Sequence, residues 1–154
     1  MATPVRVPEL SVSYADDLYS WTKQQASLLL SGRFSELDIE HIVEELIGVG
    51  NEQYDKLQSA LTILLMHLLK WDYQPERRSR SWVLSIREHR RRVTRILNRN
   101  PGLKSELHLA MSEAYEDAAD RAAGETDLPD HIFPEKNEYS WEAMMTRKIE
   151  WDMR

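Results

Sequence analysis

Residues 61–69, LTILLMHLL, are apolar on nearly every face, and residues 70–82, KWDYQPERRSRSW, follow with three large aromatics, one proline and three arginines. The apolar run is far too short to cross a bilayer, which takes about 20 residues, so it reads as the buried half of a helix. Pro75 then disfavours helical geometry at Gln74 and ends that helix. A long buried helix, a proline break and a basic continuation together predict helices packed on helices.

Upstream, apolar positions Ile42, Leu46, Val49, Leu57, Leu61, Leu64, Leu68 and Trp71 recur near the helical period, with Ser35 and Asp38 as candidate caps. Gly48 and Gly50 interrupt this helix, each costing roughly 1 kcal/mol against alanine, which predicts a bend or a close approach there. An earlier helix, capped by Ser13 with Asp16, carries Leu18, Trp21, Leu28 and Leu29 and stops at Gly32. Downstream, a third helix runs to Leu97, and Asn100-Pro101-Gly102 breaks it. A fourth shows Leu103, Leu107, Ala110, Met111, Ala114, Ala118 and Ala122 on one face and closes at Gly124. Ser140 offers a cap for a short last helix with Trp141, Met144 and Met145. No segment alternates as a strand does. The expectation is an all-α fold: a single-domain helical bundle of four main helices plus a short C-terminal helix. Its parts are a flexible arm over 1–12, the bundle over 13–125, and an irregular tail over 126–154.

The 154 residues are 42% hydrophobic and 30% charged, an ordinary globular balance. Cysteine is absent, which excludes disulfides, thiolate metal sites and cysteine nucleophiles. With no signal-peptide run at the start, a soluble cytoplasmic protein is expected. The net charge of −6 is unevenly spread: residues 70–99 hold ten basic side chains against three acids, and the remainder hold 10 against 23. Such polarity bears on partners or on internal pairing rather than on fold.

On a helical wheel, Trp82, Ile86, His89, Val93, Ile96 and Leu97 share one sector, while Arg80, Arg87, Arg91 and Arg95 point the opposite way. One reading is a face for an anionic partner, protein or nucleic acid, built on Arg77, Arg80, Arg87, Arg91 and Arg95, with Trp71, Tyr73 and Trp82 available to stack on bases. The other is salt bridging inside the molecule, with Arg90 and Arg92 reaching Glu106, Glu113, Asp117 and Asp120, or Glu40, Glu44, Glu45 and Glu52. An alternative is a small enzyme or metal-binding bundle that uses the core histidines His67 and His89 with carboxylates, Glu45 completing a metal site, but the Glu-x-x-His pairs of di-iron bundles are missing. No phosphate loop or nucleophile elbow occurs, so neither a catalytic residue nor a cofactor is assigned. A homodimer through residues 61–69 is a further expectation.

The runs LLKWDYQPERRSRSW, IREHRRRV and AYEDAADRAAGETDLP resemble the bacterial family catalogued as domain of unknown function twenty-nine. Its pattern is matched by Lys70, Trp71, Gln74, Pro75, Glu76, Arg78, Ser79, Ser81, Trp82, Ile86, Arg87 and Glu88. YADDLYSWTKQQASLLLSGRFSELD resembles the family's start, so the likeness spans about residues 14–134. It implies a small all-helical protein and carries no activity or catalytic residue with it.

Overall fold

Local capping chemistry sets where each helix begins. The computed structural model describes residues 12–151, so the arm expected over 1–12 lies, apart from Val12, outside them. Helix α1 spans Leu18–Leu30, and its N-cap is Asp17, whose carboxylate accepts the Ser20 amide, rather than Ser13. Gly32 follows at φ 71, the left-handed conformation that suits a residue without Cβ. A 3-10 turn at Phe34–Glu36 leads to α2, Ile39–Tyr73, where the Asp38 carboxylate accepts the His41 amide. A second such turn, Pro75–Arg77, precedes α3, Arg80–Arg99, capped by Ser79. Pro101–Glu106 forms a third ahead of α4, Leu107–Thr126, and Ser140 caps the short α5, Trp141–Met145. The fold is all-α, with four long helices and a short terminal one, and the described residues contain no strand.

The expected stop at Gly124 is not made. Helix α4 runs on through it, and Asp127 at φ 55 provides the left-handed C-cap. A glycine inside a helix costs only about 1 kcal/mol, too little to stop it here, and the Thr126 hydroxyl donates to the Ala122 carbonyl in the last turn. Helix α2 likewise continues through Gly48 and Gly50. Nothing beyond the helix lies within 4 Å of a Cβ placed at either, so neither glycine marks a close approach.

The chain divides into two compact units between Val49 and Gly50. In the first, Trp21, Gln25 and Leu28 are the buried side chains. They tie α1 to the start of α2: Trp21 Nε1 donates to Asp38 at 3.1 Å, and the Asp38 amide donates to Gln25 at 2.9 Å. In the second, Leu57, Leu61, Leu64, Leu65, Leu68 and Leu69 are fully buried with Ile86 and Val93 of α3 and with Ala110, Ala114, Ala118 and Ala122 of α4. Residues 61–69 are therefore used by the chain's own core, with only Ile63 and His67 half-buried. The alanine face of α4 is buried in the same core as these leucines. Residues 126–151 supply Phe133, Met144 and Ile149 to the same core, so the tail is part of the packing.

Candidate functional site

Most of the stretch 70–82 is internal wiring, with Pro75–Arg77 and Arg80–Ser81 exposed. Lys70 is buried, with Nζ on the Glu125 carboxylate and 4.6 Å from the centre of the Trp82 ring. Trp71 is buried too, and Arg78 lies over its ring at 4.7 Å while donating Nε–H to its carbonyl at 2.8 Å. That bond satisfies one of the carbonyls left open at the end of α2. Asp72 accepts the Tyr139 hydroxyl at 2.7 Å and both amino groups of Arg147 at 3.0–3.1 Å. Burial, reinforced by that carboxylate, pushes the Tyr139 phenol far above its usual range. Tyr73 meets Phe133 edge-on at 5.3 Å, and Gln74 donates to the Thr126 carbonyl at 3.2 Å.

The three rings offered for base stacking are engaged inside the molecule. Trp71 is buried, Tyr73 and Trp82 are half-buried, and each ring has a partner within the molecule. Pro75 and Glu76 lie exposed in the turn between helices, and Ser79 is committed as a cap.

The arginines of α3 separate into two kinds. Arg90 is half-buried and donates to the carbonyls of Met144 at 2.6 Å, Arg147 at 2.8 Å and Ala143 at 3.3 Å. The expectation that it pairs with acids is corrected: it meets the open carbonyls at the end of α5. Arg92 is exposed and makes no ion pair with the acids of α4. Those acids are otherwise occupied or solvated, Glu113 for instance accepting the Tyr54 hydroxyl at 2.6 Å. Arg77, Arg80, Arg87, Arg91 and Arg95 are all exposed and have neither an ion pair nor a hydrogen-bonded side-chain partner among the described residues. Two shallow grooves border this face. One of about 540 Å³ lies beside Arg91, Arg95 and Arg99, and one of about 450 Å³ lies beside Arg92, Arg95 and Arg99.

His67 and His89 do come near each other, with the Ser85 hydroxyl 3.4 Å and 3.5 Å from their Nδ1 atoms. Each Nδ1 also sits on a backbone carbonyl, Ile63 at 2.9 Å and Ser85 at 2.8 Å. A ring nitrogen facing a carbonyl must carry the proton, so neither Nδ1 can take one from Ser85. Burial holds His67 below the usual histidine range, which keeps it neutral. Glu45 accepts the Tyr14 hydroxyl at 2.7 Å in the first unit. Among the described residues no group of three or more His, Asp or Glu side chains is placed to hold a metal ion, so the candidate set His67, His89 and Glu45 is not assembled.

Sequence reasoning missed Asp72, Tyr139 and Arg147. Asp72 sits inside the quoted motif, but its partners lie 67 and 75 residues away, and no local pattern announces them. No helix among the described residues is long and apolar enough to cross a membrane. No curated protein and no solved structure matches the chain. A family model does match residues 13–149, and it covers the motif, the arginine helix and the tail that the two together hold in place. The chain therefore belongs to the family described as Domain of unknown function DUF29.

Proposed function

We propose that the protein is a non-enzymatic interaction module that binds a polyanion, with the phosphate backbone of a nucleic acid as the favoured partner, through the outward face of α3. The observation that carries this reading is the unpaired state of Arg80, Arg87, Arg91 and Arg95 among the described residues, in a helix with seven arginines and one glutamate.

Stability gives no reason for that arrangement. Arg87, Arg91, Arg95 and Arg99 make three successive i, i+4 pairs of like charge, each disfavoured by about 0.2–0.5 kcal/mol. Arg80 stands at the first position of the helix, where a cation opposes the dipole. A rise of about 1.5 Å per residue spreads the row over roughly 28 Å, which suits an extended polymer better than a single carboxylate. Guanidinium groups favour planar, bidentate contact with phosphate oxygens. The aromatic side chains beside the row are used internally, so the contact reads charge and shape, not bases.

The test is a fluorescence-anisotropy titration at low salt with a random-sequence DNA duplex, a single-stranded RNA and a poly-glutamate peptide. Duplex or RNA binding should weaken steeply with salt, by about 0.9 in log K per log salt for each phosphate engaged on duplex DNA. Arg87→Glu/Arg91→Glu/Arg95→Glu should abolish it. Binding to the peptide alone would replace the nucleic acid with an acidic protein, and binding to none of the three would end the proposal.

A further inference from the structure

His108, Met111, Ser112, Tyr115 and Glu116 share one face of α4, at the three- and four-residue spacing of a helix. The tail passes this face without closing on it. Phe133 and Met144 enter the core at either end of the crossing, and residues 135–137 and 139–141 form the second wall of a cavity of about 600 Å³. That volume lies within the roughly 300–1,000 Å³ of small-molecule sites. Its walls are tied down. The Tyr115 hydroxyl donates to the Pro134 carbonyl at 2.6 Å, the Tyr139 hydroxyl to Asp72 at 2.7 Å, and the Ala143 amide to Ser140 at 3.0 Å. A ligand entering here has little of the protein left to order.

The charge around the cavity is one-sided. Residues 107–142 hold ten acids against Arg121 and Lys136. On the wall stand Glu116 and Glu135, both exposed, with Lys136 as the opposing charge. None of these three joins an ion pair among the described residues. The rings on the wall narrow the choice further. Tyr115 and Tyr139 have spent their hydroxyls, so they add ring surface rather than a free donor. Elsewhere the chain sets its own cations over its rings: Lys70 over Trp82, Arg78 over Trp71, and Arg147 over Tyr139 at 5.8 Å. Trp141, 37% exposed on this wall, has neither a cation nor another ring against it among the described residues.

We infer that this cavity binds a small organic cation, an ammonium or guanidinium group on a short carbon chain. Its charge sits at Trp141, Glu116 and Glu135, and its carbon lies against Met111 and Tyr115. The indole face is the best of the side-chain rings for a cation, and the carboxylates on the same wall add to that attraction. A metal ion is a poorer match, because it takes a full shell of oxygens and gains nothing from aromatic walls. An anion would have to enter against the surrounding acids. The site uses none of the arginines of α3, so it stands or falls apart from the reading of that face.

Calorimetric titration of the full chain with agmatine, choline and, as an anion of similar size, glutarate tests this. Agmatine or choline should bind with a Kd below about 1 mM and shift the Trp141 indole N–H resonance, and glutarate should do neither. Trp141→Leu and Glu116→Gln/Glu135→Gln should each weaken binding about 10-fold or more, and Lys136→Gln should leave it equal or tighter. The carboxamide pair is exposed and changes no shape, so it carries the test if Trp141→Leu fails to fold. Cation binding that survives Trp141→Leu would be no more than attraction to an acidic surface, and would overturn the inference. So would a Trp141 resonance indifferent to both cations up to about 10 mM, preference for glutarate, or weakening by Lys136→Gln.

Discussion

The Arg90 Nε–H points at the carbonyl oxygen of Met144, 2.6 Å away and 54 residues on. One basic side chain of α3 thus serves as the cap of α5, while its neighbours Arg91 and Arg92 stand in solvent. Charge-assisted bonds to carbonyls contribute about 1.5–3 kcal/mol where removal leaves acceptors unsatisfied. Arg90→Ala should therefore cost about 2 kcal/mol in urea unfolding, and Arg91→Ala less than about 0.5 kcal/mol. Hydrogen exchange at residues 144–147 should rise in the first variant alone. Equal effects from both would mean that the two arginines are not distinct in role.

Asp72 fastens the same segment from the end of α2, through Tyr139 and Arg147. The Arg147 side chain is 35% exposed, so the ion pair is partly screened and Asp72→Asn should cost only about 1 kcal/mol. The geometry carries more information than the size of the effect. A lysine cannot offer two parallel donors, so Arg147→Lys should resemble Arg147→Ala in stability rather than the wild type. Thermal unfolding of the three proteins decides this, and full rescue by lysine would refute the bidentate account.

The helices were legible because their signals are local: the leucine period of α2, Pro75, Ser140 as a cap, and the small face of α4. The candidate site was legible only in part. Helical spacing placed Arg80, Arg87, Arg91 and Arg95 on the outward side, where they stand. Spacing says nothing of which distant backbone a guanidinium will meet, so the partners of Arg78 and Arg90 were not readable. Composition also misled at Leu46 and Val49, which share a stripe with the core leucines and are nevertheless exposed. Their residue types state that they suit burial, not what buries them.

Gly124 gives the clearest case of a local signal overruled. It lies inside α4 with no positive φ and with nothing within 4 Å of a Cβ there. Alanine at an open helical position removes the entropy cost of glycine, so Gly124→Ala should stabilise the protein by about 0.5–1 kcal/mol. Gly32→Ala should destabilise it instead, because Gly32 holds φ 71. Denaturant midpoints of the pair, at unchanged m-value, check the contrast.

In the first unit, the His41 ring and the Asp38 carboxylate are 2.7 Å apart. Their hydrogen bond is the main cause that raises His41 above its usual 6.5 and lowers Asp38 below its usual 3.8. The two shifts act at opposite ends of the pH scale. The histidine's contribution is complete below 6.5 and is lost as pH rises through its higher folded value. The carboxylate's contribution is present above 3.8 and is lost as pH falls through its lower folded value. The pair should thus stabilise the start of α2 most between about pH 4 and 6.5, and less on either side. An NMR titration should place the His41 inflection above 6.5 in the wild type and nearer 6.5 in Asp38→Asn, which can keep the Trp21 bond because an amide oxygen also accepts. A His41 inflection that is the same in both proteins would show that the contact does not set its charge.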